Sequence, residues 1–89
     1  MLFMVVEKFR NRDGKAVYRK LRAGRGLPDG LTFVASYVSA DLSRCFQLME
    51  ADDVTLFQRW IADWQDVVDF EVVPVVEGKT TRAALEPLL

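Results

Sequence analysis

The sequence contains no histidine and only one cysteine, Cys45. These absences exclude an intramolecular disulfide, zinc sites built from cysteine and histidine, histidine-ligated haem and every catalytic triad that uses imidazole as its base. We therefore expect neither a metal site nor a cofactor. Without a histidine partner, Cys45 is expected to be a buried, inert thiol rather than a nucleophile.

Long apolar runs are also absent, since no stretch approaches the roughly 20 residues that a membrane-spanning helix needs. The opening residues, MLFMVVEKF, lack the basic lead and the cleavage site of a secretory signal. We thus expect a cytoplasmic protein with no membrane partner. The 89 residues, of which 51% are hydrophobic, are sufficient for one globular domain. So small a domain buries only roughly 60 to 65% of its unfolded surface, and association would stabilise it further.

The net charge is small, but the charges are unevenly distributed along the chain. The net charge is −1, yet residues 7 to 25 hold eight basic and two acidic groups, which leaves +6 in this segment and −7 in the rest. Such asymmetry can mark a surface for nucleic acid or another polyanion. No aromatic-basic RNA motif, zinc finger or helix-turn-helix accompanies it, so nucleic acid is an unlikely partner and a basic helix lying against acidic neighbours is favoured.

Hydrophobic periodicity and turn residues predict four strands and two helices. We place strands over residues 2–9, 31–40, 44–51 and 69–76, and helices from about Asp13 to Ala23 and over 53–64. The second helix carries Phe57, Trp60 and Trp64 at helical spacing and is expected to be a main core element. Pro74 cannot donate a ladder hydrogen bond, so the last strand should be an edge or carry a bulge. Residues 1–78 form the predicted domain, and 79–89 a tail or short helix.

The order βαββαβ, with a tight hairpin between the middle strands, predicts an α+β ferredoxin-like fold. In this fold two helices cover one face of a four-stranded antiparallel sheet. The first and last strands, LFMVV and VVPVV, are apolar on both sides, so the helix-free face also needs cover. We predict that a second copy supplies it, giving a homodimer closed sheet against sheet as an α/β barrel.

Four ordered segments support this prediction: MLFMVVEKFRN, LPDGL, RCFQLMEADD and FEVVPVV. Together they resemble a family of short bacterial domains of unknown function in the dimeric α/β-barrel superfamily, over residues 1 to about 78. The resemblance implies a ferredoxin-like protomer that pairs as a barrel, and it implies no activity. The motifs of better-known members of the superfamily, including cofactor-independent monooxygenases and haem-degrading enzymes, do not match.

Gln47 is a polar residue within the otherwise apolar third strand. Because side chains alternate along a strand, Phe46 and Leu48 share one face, and Gln47 lies on the other with Cys45 and Met49. The apolar pair suits the helices. We therefore predict that Gln47 points into the barrel between the two sheets, where its amide would need hydrogen-bonding partners.

The resulting candidate ligand site consists of Glu7, Tyr37, Gln47 and Met49. Tyr37 and Gln47 would orient a small molecule, and Glu7 could act as a base, although a plain surface ion is an equal alternative. The secondary candidates Arg44 and Glu50 bracket the third strand and could equally be exposed strand-end charges. Small-molecule binding in the barrel is the leading hypothesis. Three alternatives stay open: a structural or regulatory dimer module without chemistry, a cofactor-free monooxygenase-like enzyme, and an anion-binding protein.

Overall fold

The computed structural model describes residues 1–89 and contains four strands and three α-helices. The strands are β1 (Leu2–Phe9), β2 (Thr32–Val38), β3 (Arg44–Glu50) and β4 (Val68–Val75). The helices are α1 (Gly14–Leu21), α2 (Thr55–Trp64) and α3 (Gly78–Leu85). Short 3-10 turns at Arg10–Arg12 and Glu86–Leu88 follow β1 and α3. None of the helices has the length and apolarity needed to cross a bilayer.

The four strands form one antiparallel sheet in the order β2-β3-β1-β4, and this order together with α1 and α2 confirms the predicted ferredoxin-like α+β fold. β4 is an edge strand, as Pro74 requires, and Pro74 lies opposite Phe3 of β1. The segment predicted to be a tail or short helix contains α3. A domain boundary at residue 78 stays a prediction.

The core lies between the sheet and helices α1 and α2. The ring of Phe3 on β1 meets Phe57 of α2 edge-on at 4.8 Å between centroids, and Trp60 of α2 meets Phe70 of β4 in the same way at 5.1 Å. These residues bury the aromatic stripe of α2 as its spacing predicted. Helix α1 adds Val17 to the same core.

The basic helix α1 lies beside α2 and its acidic C-terminal end, as the charge distribution indicated. Lys20 Nζ lies 2.7 Å from Asp66 Oδ1 and also donates to the backbone carbonyl of Asp63. At its other end α1 is capped by Asp13, whose carboxylate accepts a hydrogen bond from the Ala16 amide at 3.1 Å. Part of the positive field of α1 is therefore neutralised within the fold.

The prediction that Phe46 and Leu48 of β3 face the helices is wrong. Cys45, Gln47 and Met49 are buried on the helix side, whereas Phe46 and Leu48 lie on the helix-free face and are only partly buried. Antiparallel pairing places Gln47 opposite Val5, which is fully buried in the core, so the two side chains share a face. The alternation of the sequence correctly divided the side chains of β3 into two faces, but the prediction assigned each face to the wrong side of the sheet. The apolar pair was assigned to the helices, although the helix-free face is apolar as well.

The helix-free face carries partly buried apolar side chains from adjacent strands: Met4, Val6, Phe46, Leu48 and Ala35. Tyr37 of β2 pairs with Phe46 and is 69% exposed on this face. The C-terminal segment does not bury itself, since every residue from Val76 to Leu89 is exposed. In a single chain, an apolar sheet face and the whole C-terminal segment both remain open to solvent.

Candidate functional site

A cavity of about 100 Å³ lies on the helix side of the sheet. Strands β1 and β3, with Ser36 of β2, form its floor, helices α1 and α2 form its walls, and the α1–β2 loop supplies one further residue. The residues that matter for its chemistry are Glu7, Tyr18, Arg25, Gln47, Trp60 and Trp64. Because apolar and aromatic side chains dominate its lining, polar groups inside it are poorly solvated.

Glu7 projects from β1 into this cavity and is only 8% exposed. Its Oε2 atom is buried and has no hydrogen-bonding partner. Burial raises the pKa of Glu7 from 4.5 to about 7, and the nearby positive charge of Arg25 opposes part of that rise. Glu7 therefore divides between its neutral and charged forms near neutral pH, which makes it the chemically distinctive group of the cavity.

Gln47 lies on the floor of the cavity, and its side chain is also almost fully buried. Its Nε2 atom donates to the thioether sulfur of Met49 at 3.2 Å. A thioether is a weak acceptor, so the amide retains hydrogen-bonding capacity. Tyr37, which was predicted to orient a ligand together with Gln47, lies on the opposite face of the sheet, and that grouping was wrong.

Arg25, in the α1–β2 loop, was not found by the sequence analysis. Its carbonyl oxygen accepts hydrogen bonds from both indole nitrogens, from Trp60 Nε1 at 3.1 Å and Trp64 Nε1 at 2.9 Å. Its guanidinium lies 4.0 Å from the centroid of the Phe33 ring and takes part in no salt bridge. The signal was present in the triplet Gly24-Arg25-Gly26, whose two glycines adopt φ of 99° and 66° and allow the sharp turn that brings this carbonyl to α2.

Cys45 is the remaining titratable group of the floor. Burial raises the pKa of its thiol to about 11, and the neighbouring negative charge of Glu7 contributes to the rise. The thiol is therefore protonated at neutral pH, which agrees with the expected buried and inert cysteine.

The structure thus brings together only part of the predicted site. Glu7 and Gln47 line one cavity, and Met49 is fully buried beside Gln47. Arg44 and Glu50 are exposed at opposite ends of β3, on the helix-free face. No group of three or more cysteine, aspartate or glutamate side chains is arranged to hold a metal ion.

Comparison with known proteins gives one match. The model of the family described as "Domain of unknown function (DUF3303)" matches residues 1–89, the whole chain. The chain belongs to this family. No curated protein and no solved structure matches it. The description of the DUF3303 family names no activity. The chemistry of this DUF3303 domain has to be inferred from its own side chains.

Proposed function

We propose that this DUF3303 domain binds a small polar organic molecule in the cavity between the sheet and helices α1 and α2. The observation that carries the proposal is that Glu7 lines the cavity and has a buried carboxyl oxygen without a hydrogen-bonding partner. Leaving such a group unpaired costs about 1–3 kcal/mol, and buried polar groups in folded proteins nearly always have partners. A ligand that hydrogen-bonds Glu7 removes this cost.

Gln47 supports the same proposal from the adjacent strand. Its amide is buried, and its only side-chain partner is a thioether. A ligand group placed between Glu7 and Gln47 would therefore meet a carboxyl and an amide whose hydrogen-bonding capacity the protein does not use in full. Aromatic walls around a few convergent polar groups are typical of small-molecule sites.

The volume of the cavity limits the size of the ligand. At about 100 Å³ it is smaller than the engineered apolar cavity of roughly 150 Å³ that binds benzene. A molecule held wholly within the cavity therefore has roughly four to six non-hydrogen atoms. Tyr18 of α1 lines the cavity and is itself substantially exposed, which identifies its side chain as part of the rim.

The two tryptophans of the chain provide a direct test, because both residues line the cavity and no other indole is present. A library of small polar molecules is titrated while the two indole signals are followed by proton–nitrogen correlation NMR. We expect ligands that shift both signals saturably. Gln47→Leu should weaken these ligands by about tenfold, the effect of losing one good hydrogen bond.

The matched control is Tyr37→Phe, which changes a polar side chain on the opposite face of the same sheet. It should leave every dissociation constant unchanged. Failure of all library members to shift the indole signals, or equal affinities in wild type and Gln47→Leu, would contradict the proposal.

Acid–base catalysis without a cofactor is a second candidate function, favoured by the pKa of about 7 at Glu7. A general base works best when its pKa lies near the operating pH, and the burial of Glu7 produces this condition. The same cavity would then hold a substrate whose proton is transferred to or from the carboxyl. A reaction rate whose pH profile has an inflection near pH 7, lost in Glu7→Gln, would distinguish this function from simple binding.

We also propose that the protein is a homodimer in which the helix-free sheet faces of two copies pack together, as in the dimeric α/β-barrel superfamily that the sequence resembles. The partly buried apolar side chains of β1 and β3 on that face support the proposal, since a large open apolar patch is unfavourable for a monomer in water. Arg44 and Glu50 support it through their positions. They lie on this face at opposite ends of β3, so a two-fold axis crossing the middle of β3 would place each Arg44 opposite the Glu50 of the other copy.

Sedimentation analysis at micromolar concentration should therefore show a dimer. Arg44→Glu and Glu50→Arg should each weaken it by roughly three- to tenfold, because each places like charges together at two symmetric positions. The double variant should recover the affinity of the wild type. A wild-type monomer would contradict the dimer, whereas a dimer insensitive to these charges would contradict this two-fold arrangement.

A further inference from the structure

Two opposite charges line the cavity without pairing with each other. Glu7 projects from the floor, and Arg25 reaches the same cavity from the α1–β2 loop. Arg25 is close enough to lower the pKa of Glu7, yet no salt bridge joins them. Both residues line the same small cavity, where Glu7 has a carboxyl oxygen without a partner and Arg25 has a guanidinium that forms no salt bridge.

The position of Arg25 is fixed by the core rather than by Glu7. Its carbonyl oxygen is held by the indoles of Trp60 and Trp64, and its guanidinium lies over the Phe33 ring. A guanidinium placed against an aromatic face is held by the cation–π interaction, and its N–H groups remain available at the edge of the plane. Arg25 is thus preorganised to receive an anionic group.

We propose that the ligand is a small carboxylate that carries a hydrogen-bond donor on the adjacent carbon, its carboxylate bound by Arg25 and its donor by Glu7. This inference rests on the proposed small-molecule site and adds the chemical class of its ligand. A 2-hydroxy or 2-amino acid of five or six non-hydrogen atoms has this chemistry and matches the size inferred from the cavity of about 100 Å³. Gln47 lies on the same floor and can bond either group.

Four probes of similar size separate the contributions of the two charges. Glycolate carries a carboxylate and a hydroxyl, and glycine carries a carboxylate and an ammonium. Acetate has only the carboxylate, and ethylene glycol has only hydroxyls. Each is titrated into the wild-type full chain at neutral pH while the two indole signals are followed. We expect glycolate or glycine to bind at least about tenfold more tightly than acetate and ethylene glycol. Acetate lacks the donor that would bond Glu7, and ethylene glycol lacks the carboxylate that would bond Arg25.

The variants assign each preference to one residue. Arg25→Gln should abolish the preference for glycolate or glycine over ethylene glycol, whereas Arg25→Lys, which keeps the charge, should retain part of it. Glu7→Leu should abolish the preference over acetate. The dispersion of the indole signals reports whether each variant is folded, and the comparison of Arg25→Lys with the wild type stays informative if Arg25→Gln unfolds.

Comparison of glycolate with glycine shows which donor the site prefers. Tighter binding of glycine would indicate that the ligand places an ammonium group beside Glu7. Binding of ethylene glycol that is as tight as that of both glycolate and glycine, or an unchanged preference in Arg25→Gln, would overturn the inference and leave the small-molecule site in place. If none of the four probes binds while other members of the polar library do, the ligand class is wrong and the site is retained. If nothing in the library or among the probes binds, both the inference and the proposed function fail.

Discussion

Replacing Trp60 with alanine is expected to lower the free energy of unfolding by about 3–5 kcal/mol, the usual cost of removing a fully buried large aromatic side chain. The Trp60 ring is 3% exposed, packs edge-on against Phe70 and lines the cavity. The substitution therefore removes core contacts on one side and enlarges an existing void on the other. A domain of this size has a stability of only about 5–15 kcal/mol, so a loss of this magnitude is a large fraction of the total.

Chemical denaturation with urea measures this loss, and two companion variants interpret it. Trp60→Phe keeps an aromatic ring against Phe70 but loses one hydrogen bond to the Arg25 carbonyl, which still accepts the bond from Trp64. This variant should lower the free energy of unfolding by about 1–2 kcal/mol. Gln58→Ala changes an exposed residue of the same helix and should alter the stability by less than about 0.5 kcal/mol. A denaturation midpoint for Trp60→Ala equal to that of Gln58→Ala would show that α2 is not a main core element.

The second large effect is a fall in stability as the pH rises through the titration range of Glu7. In the folded chain its pKa is about 7, against 4.5 without the fold, so between these values the folded chain holds a proton that the unfolded chain has released. Stability decreases with pH wherever the folded state binds more protons. The contribution of Glu7 to the free energy of unfolding is therefore fully present below pH 4.5 and is lost once the pH has passed about 7. The loss amounts to about 3 kcal/mol.

Glu7→Gln removes the titrating group while keeping the shape of the side chain, so its stability should be nearly constant across this range. Other carboxyl groups act in a different window. Hydrogen bonds from Ser43 and Ser39 lower the pKa of Asp41 to about 2, and hydrogen bonds from neighbouring groups likewise lower the pKa values of Asp53 and Asp66. Their stabilisation is lost in more acidic solution, with the opposite sign. Urea denaturation at a series of pH values measures both trends, and an identical decline in Glu7→Gln would rule out Glu7 as the cause.

The elements and their order could be predicted from the sequence because their signals are local. The aromatic stripe of α2, the turn residues before α1 and the proline of β4 each constrain a few neighbouring residues, and the structure agrees with them. The face of β3 could not be predicted in the same way. Which side of a strand meets the helices depends on its pairing with another strand, and β1, the neighbour of β3, is apolar on both faces along most of its length.

The residues of the candidate site were likewise predictable only in part. Glu7 and Gln47 were identified because a charge and an amide are conspicuous in apolar strands, and they share a face because β1 and β3 pair in this register. Tyr37 was assigned to the same group without knowledge of the β2 register, which contains an irregularity between Phe33 and Ala35. Arg25 comes from a loop, where no periodicity indicates the direction of a side chain.

The carbonyl of Arg25 accepts hydrogen bonds from two core indoles, and this limits how the cavity can change in evolution without a change in the core. Trp60 and Trp64 belong to the hydrophobic core and at the same time hold the loop that carries the guanidinium of the cavity. A substitution at either tryptophan therefore changes the stability of the fold and the binding of a ligand together. New ligand preferences should arise most readily at the rim, through Tyr18, because that side chain lines the cavity without belonging to the buried core.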